Sequence, residues 1–145
     1  MKRTLFALAL VAGALVVSSG RAYAHHSFAA TYFEDKTQKI EGNLVQFLYR
    51  NPHSFVHVEA PDEKGVMQRW AVEWAGTSQL DRSGVTRDTL KVGDDVIVVV
   101  HPSRVAGEYR ALMVTLKRPS DGFTWGTKSG ETIDWSYYAT RGFAV

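Results

Sequence analysis

The chain predicts a mainly β protein built on a small five-stranded OB-like barrel, with the element order β-β-β-α-β-β and one short helix. Three observations carry this: five segments of β-character at close spacing, a Gly inside the long first one, and a single helix signal between the third and fourth. A small open β-sandwich is the alternative, because strand order alone does not require closure.

The first strand is expected over Lys39 to Tyr49, where Ile40, Leu44 and Leu48 share one parity and Val45, Phe47 and Tyr49 the other. A strand that changes its buried face bends or bulges, and Gly42 marks the corner. Arg50-Asn51-Pro52 makes a turn, Ser54 to Ala60 the second strand, and Pro61 to Gly65 a polar hairpin loop. In the third strand, Met67 to Ala75, Trp70, Val72 and Trp74 alternate with Ala71 and Glu73. Gly76-Thr77-Ser78 offers an N-cap for a helix through Arg82, which Gly84 terminates. The β-branched run Val96 to Val100 lies in a fourth strand, Asp94 to His101, which Pro102 ends. A fifth follows from Tyr109 to Lys117. Asp94-Asp95 after Gly93 reads as turn chemistry, one side chain accepting backbone hydrogen bonds.

Three domains of composition follow. Residues 1–24 read as a cleaved export signal: Lys2 and Arg3, a 13-residue apolar run from Leu5 to Val17, then Ala22-Tyr23-Ala24 as a small-x-small cleavage site. The run is shorter than the ~20 residues a permanent span needs, so no membrane anchor is expected and the location is the periplasm. Residues 25–117 form the barrel. Residues 118–145 carry Phe123, Trp125, Trp135, Tyr137, Tyr138 and Phe143 among Gly, Ser and Thr, an aromatic content that suits covering apolar barrel surface.

The whole chain has a formal charge of +2, but residues 25–145 hold 14 basic and 15 acidic side chains, a net of −1 with no basic run. Such a chain has no long-range field for nucleic acid, and that partner is not expected. With no Cys, stability must come from the core, and any metal must be held by His, carboxylate or the chain terminus.

Cleavage after Ala24 would place His25 at the mature terminus with His26 behind it. A free amine and adjacent imidazoles suit Cu(II) or Zn(II), copper first. Such binding weakens as pH falls through roughly 8 to 6, because the donors must be deprotonated. His53 and His57 share a strand face with Phe55, but lie about 13 Å apart, too far to hold one ion unaided. His53, nearer the loop, is the one chosen to complete a site with His25 and His26. His101 reads as a strand-end residue.

The resulting expectation is a non-enzymatic binding or accessory protein. The alternative, from another class, is a ligand or partner platform in which Phe55, His57, Trp70, Glu73 and Trp74 meet a small ligand or a periplasmic protein. A hairpin loop centred near Glu63 and Lys64 sets His57 opposite Trp70 and His53 opposite Trp74; a one-residue slip instead brings Glu73 onto the histidine face. If buried, Glu73 would have a raised pKa and suit acid or base catalysis; otherwise it faces solvent or pairs with an Arg.

His25-His26-Ser27-Phe28, Asn51-Pro52-His53, Trp70 with Glu73, and Leu90-Lys91-Val92-Gly93-Asp94 together resemble a family of small exported bacterial proteins classed as a domain of unknown function. The likeness runs to about Lys117. It implies a periplasmic location and an OB-like barrel, and it places His25, His26, His53 and Glu73 among the family's recurrent positions. It supplies no activity.

Overall fold

The computed structural model describes residues 28–126. By chain contacts it divides into residues 1–31, of which 28–31 form a short helix α1, and residues 32–145, which contain the barrel. Among the described residues no helix is long and apolar enough to cross a membrane.

The elements of the second unit are β1 (Gln38–Leu48), β2 (Phe55–Pro61), β3 (Met67–Glu73), α2 (Thr77–Arg82), β4 (Asp95–Pro102), β5 (Arg110–Arg118) and β6 (Phe123–Trp125). Antiparallel pairing gives the order β3-β2-β1-β4-β5-β6, and a parallel pairing of β3 with β5 closes the first five strands into a barrel. This is the OB-like arrangement expected, and closure excludes the open sandwich. β6 is an extra strand on the β5 edge.

β1 serves two partners, β4 through residues 38–43 and β2 through residues 43–48. It can pass so close to β2 only because Gly42 has no side chain: a Cβ there would lie 2.0 Å from the Glu59 carbonyl oxygen. The register shift itself falls later, between Leu44 and Gln46, so Gly42 provides the close approach and the residues after it the bulge. Inside the barrel Leu44, Val56, Val58, Val72, Val98 and Leu116 are fully buried, with Trp70 and Trp74 beside them.

The α2 N-terminus is capped from outside the helix. Gly76 is the N-cap residue and makes no side-chain cap bond, while Asn51 Oδ1 accepts from the Thr77 N–H at 3.0 Å and from its hydroxyl at 3.0 Å. At the other end Gly84 takes φ +79°, and the Val85 N–H returns to the Leu80 carbonyl, burying Leu80 and Val85. Beyond Arg118, Phe123 and Trp125 pack on the core. Trp125 stands edge-on to Trp74, ring centroids 4.9 Å apart, and donates its Nε1 hydrogen to Ser83 Oγ. Phe123 and Trp125 thus cover core surface; residues 127–145, the rest of the expected extension, lie outside the described residues.

Candidate functional site

β2 and β3 pair with Phe55 opposite Glu73, His57 opposite Ala71 and Val58 opposite Trp70. This is the slipped register, so the first pairing given above, His57 with Trp70, is corrected. The hydrophobic pattern decides it: with this register Val56, Val58, Trp70, Val72 and Trp74 all turn inward and Phe55, His57 and Glu73 all turn outward. Trp70 and Trp74 are 5% and 2% exposed. The five residues named for a ligand platform therefore do not share one surface. Phe55, His57 and Glu73 stand on the outside, and the two indoles belong to the core.

Glu73 is the unusual member, an outward-facing carboxylate that is only 4% exposed. Three side chains close over it. His53 Nδ1 lies 2.5 Å from Oε1, Arg110 Nη2 donates to Oε2 at 2.8 Å, and the Tyr32 hydroxyl also donates to Oε2. Arg110 Nε in turn donates to the Tyr32 oxygen at 2.9 Å. Backbone geometry brings these together. Tyr32 bridges to Ser103 before β1, Arg110 opens β5 opposite Ala71, and His53 leaves the Asn51-Pro52 turn just ahead of β2.

That turn is itself fixed. The Ser54 N–H donates to the Ala75 carbonyl and the Trp74 N–H to the Ser54 carbonyl, extending the β2–β3 ladder past its formal end. Ser54 Oγ accepts from the Arg50 N–H and donates to the Arg50 carbonyl, both at 3.2 Å. Gly76 leaves room for the turn, since a Cβ there would lie 2.6 Å from the Pro52 carbonyl oxygen. His53 is thus carried on a stiff turn rather than a loose loop.

Burial raises the Glu73 pKa, but the hydrogen bonds from Tyr32 and Arg110, with the charges of Arg110 and His53, outweigh it and hold the carboxyl below its ordinary value. The raised value considered from the sequence does not occur, because burial is accompanied by two strong donors. Tyr32 moves the other way: burial first, then the bond to Glu73, pushes its hydroxyl well above the usual tyrosine range. Glu73 is therefore a fixed anion and Tyr32 a fixed neutral donor near neutral pH, which suits orientation of a neighbouring group better than proton exchange.

The oriented group is His53. Donation of Nδ1–H to the carboxylate selects the tautomer: whenever this imidazole is neutral, its lone pair is on Nε2. Metal-ligating histidines have this arrangement, in which the carboxylate sets the tautomer and raises donor strength. Among the described residues no group of three or more His, Asp or Glu side chains is placed to hold an ion. His25 and His26, the other expected ligands, lie outside the described residues. His57 sits one row away on β2, held below its usual pKa by burial and then by the charges of Arg69 and Arg50. His101 Nδ1 lies 2.7 Å from the Lys36 carbonyl oxygen, a contact that joins β4 to the segment before β1.

Sequence reasoning selected His53 and Glu73 and missed Tyr32 and Arg110. Their separations from Glu73, 41 and 37 residues, leave no local signal. The available clue was chemical: a buried carboxylate requires donors, and the segment before β1 and the β5 start are where barrel closure can bring them.

No curated protein and no solved structure matches the chain. The model of a family of unknown function, DUF6152, matches residues 12–111, the stretch that includes Tyr32, His53, Glu73 and Arg110, and the chain belongs to that family.

Proposed function

We propose that this is an exported, periplasmic, non-enzymatic accessory protein that binds a divalent transition metal, copper first and zinc second. His53 supplies one nitrogen through Nε2. The sequence offers the His25 amine and imidazole, and His26, as further nitrogens. The single observation that supports this reading is the Glu73 carboxylate 2.5 Å from His53 Nδ1, which gives that imidazole the tautomer a metal needs. Glu73 and Tyr32 are both shifted away from proton exchange near neutral pH, which favours a binding role for this cluster over general acid–base catalysis.

Calorimetric titration with Cu(II) tests the reading. Protein beginning at His25 is expected to bind one equivalent, and the same protein with its terminal amine acetylated to bind at least about tenfold more weakly, because that donor is lost. His53→Ala is expected to weaken binding by a similar factor. Equal affinity of all three forms would overturn the proposal.

A further inference from the structure

The outer surface beside the Glu73 cluster is rich in guanidinium groups. Across neighbouring strands, Phe55, Glu73 and Leu112 form one row, and His57, Ala71 and Arg110 the next. The Phe55 ring lies between two cations, with the guanidinium carbons of Arg50 and Arg110 at 5.4 and 5.7 Å from its centroid. The His57 ring is 6.5 Å from the Phe55 ring and inclined to it by 31°. Arg69 follows on β3. It stands opposite Glu59 in register, yet its guanidinium donates to Gln46 Oε1 at 2.9 Å.

Charge on this surface is not balanced locally. Glu73 is the one carboxylate in the two rows, and its oxygens are already engaged by His53, Tyr32 and Arg110. Arg50 has an exposed side chain and makes no ion pair among the described residues, while Ser54 clamps its backbone on both sides. His57 is held below its usual pKa by burial first and then by the charges of Arg69 and Arg50, which places both cations near its ring. The exposed Glu59 stands opposite Arg69, but no ion pair joins them among the described residues, so an anion placed there would meet guanidiniums without first breaking a salt bridge.

Size selects the kind of anion. From the Phe55 row to the row of Arg69, strand and residue spacings give an area on the order of 300 Å², whereas a stable protein interface needs about 800 Å² on each partner. A macromolecule would find too little surface here, and a small molecule enough. We propose that this face binds a small organic anion with two carboxylates on a flat body, the carboxylates meeting Arg50 and Arg69 and the body lying against Phe55 and His57. The inference does not rest on the metal reading, since the anion is held by Arg50 and Arg69.

Titration of metal-free full-length protein with isophthalate, at low ionic strength, is the direct test. Saturable one-to-one binding is expected. Arg50→Gln and Arg69→Gln, both exposed and so compatible with folding, should each weaken it about tenfold, with melting temperature and Cu(II) affinity unchanged. Benzamide, which keeps the ring and lacks the charges, should not compete. No saturable binding by the wild type, or equal affinity in the two arginine variants, overturns the proposal. Inorganic phosphate binding as tightly would remove Phe55 and His57 from the site and overturn it as well. Binding of polyglutamate without binding of isophthalate would make the face a macromolecular contact instead.

Discussion

Arg110 and Arg118 each hold a carboxylate on the barrel wall, with opposite arrangements of burial. In the second cluster the cation is inside: the Arg118 side chain is 14% exposed, and it donates to the Thr89 carbonyl, to Asp94 at 2.7 Å, and to both oxygens of Asp121, which is 53% exposed. Asp94 also accepts from the Lys91 N–H, so the cluster clasps the turn before β4 to the turn after β5. In the first cluster the anion is inside. The Glu73 side chain is 6% exposed, while Arg110 and His53 are 41% and 38% exposed. A buried cation ringed by acids closes loops. A buried anion ringed by bases instead fixes the orientation of the side chains that cover it.

Removing each buried charge should separate the two roles. The largest effect is expected from Glu73→Ala, which strips the acceptor from Tyr32, Arg110 and His53 at once. Because the two basic partners reach water, the cost should be about 3 kcal/mol, at the low end for a buried pair. Urea unfolding measures it, and a loss under about 1 kcal/mol would mean that the cluster does not hold the barrel together.

Arg118→Ala should cost less, about 1–2 kcal/mol, since Asp121 returns easily to solvent and only the Thr89 carbonyl and Asp94 lose a shielded donor. The same clasp predicts a pH effect. Burial raises the Asp94 pKa, but the Lys91 N–H and Arg118 outweigh it and hold the carboxyl below its ordinary value. A depressed carboxylate stabilises fully above its unfolded pKa, and that contribution is lost as pH falls through the lower native value. The urea midpoint of the wild type should therefore drop below about pH 4 more steeply than that of Asp94→Asn. Parallel curves would show that Asp94 is not linked to folding.

The smallest effect on the metal-free protein is expected from His53→Ala, below about 1 kcal/mol for a partly exposed ion-pair partner. A thermal melt checks this. If His53→Ala destabilises as much as Glu73→Ala does, then His53 is part of the scaffold and the contrast between the clusters fails.

The amino-acid sequence alone determined the element order, because each strand carries its own alternation and each break its own Gly, Pro or Asn. Residues 96–100 read as a strand from β-branched content, and Val96, Val98, Val99 and Val100 are all buried. The helix ended by Gly84 and the turn role of Asp94 were likewise legible, since a glycine stop and turn chemistry act over a few residues. His53 and Glu73 could be singled out as candidates from residue type and strand parity.

Tertiary structure alone decided the rest. Whether Glu73 shared a face with the histidines depended on a one-residue register, and the competing registers differ in what becomes buried, an energy no local segment contains. Closure through the β3–β5 pairing brought Arg110 beside Glu73 and Tyr32 over it, which turned an expected rise in the Glu73 pKa into a fall. The cap of α2 came from Asn51, 26 residues away, for the same reason. Short-range preferences are written in neighbouring residues, whereas partners for buried polar groups exist only once the chain has closed on itself.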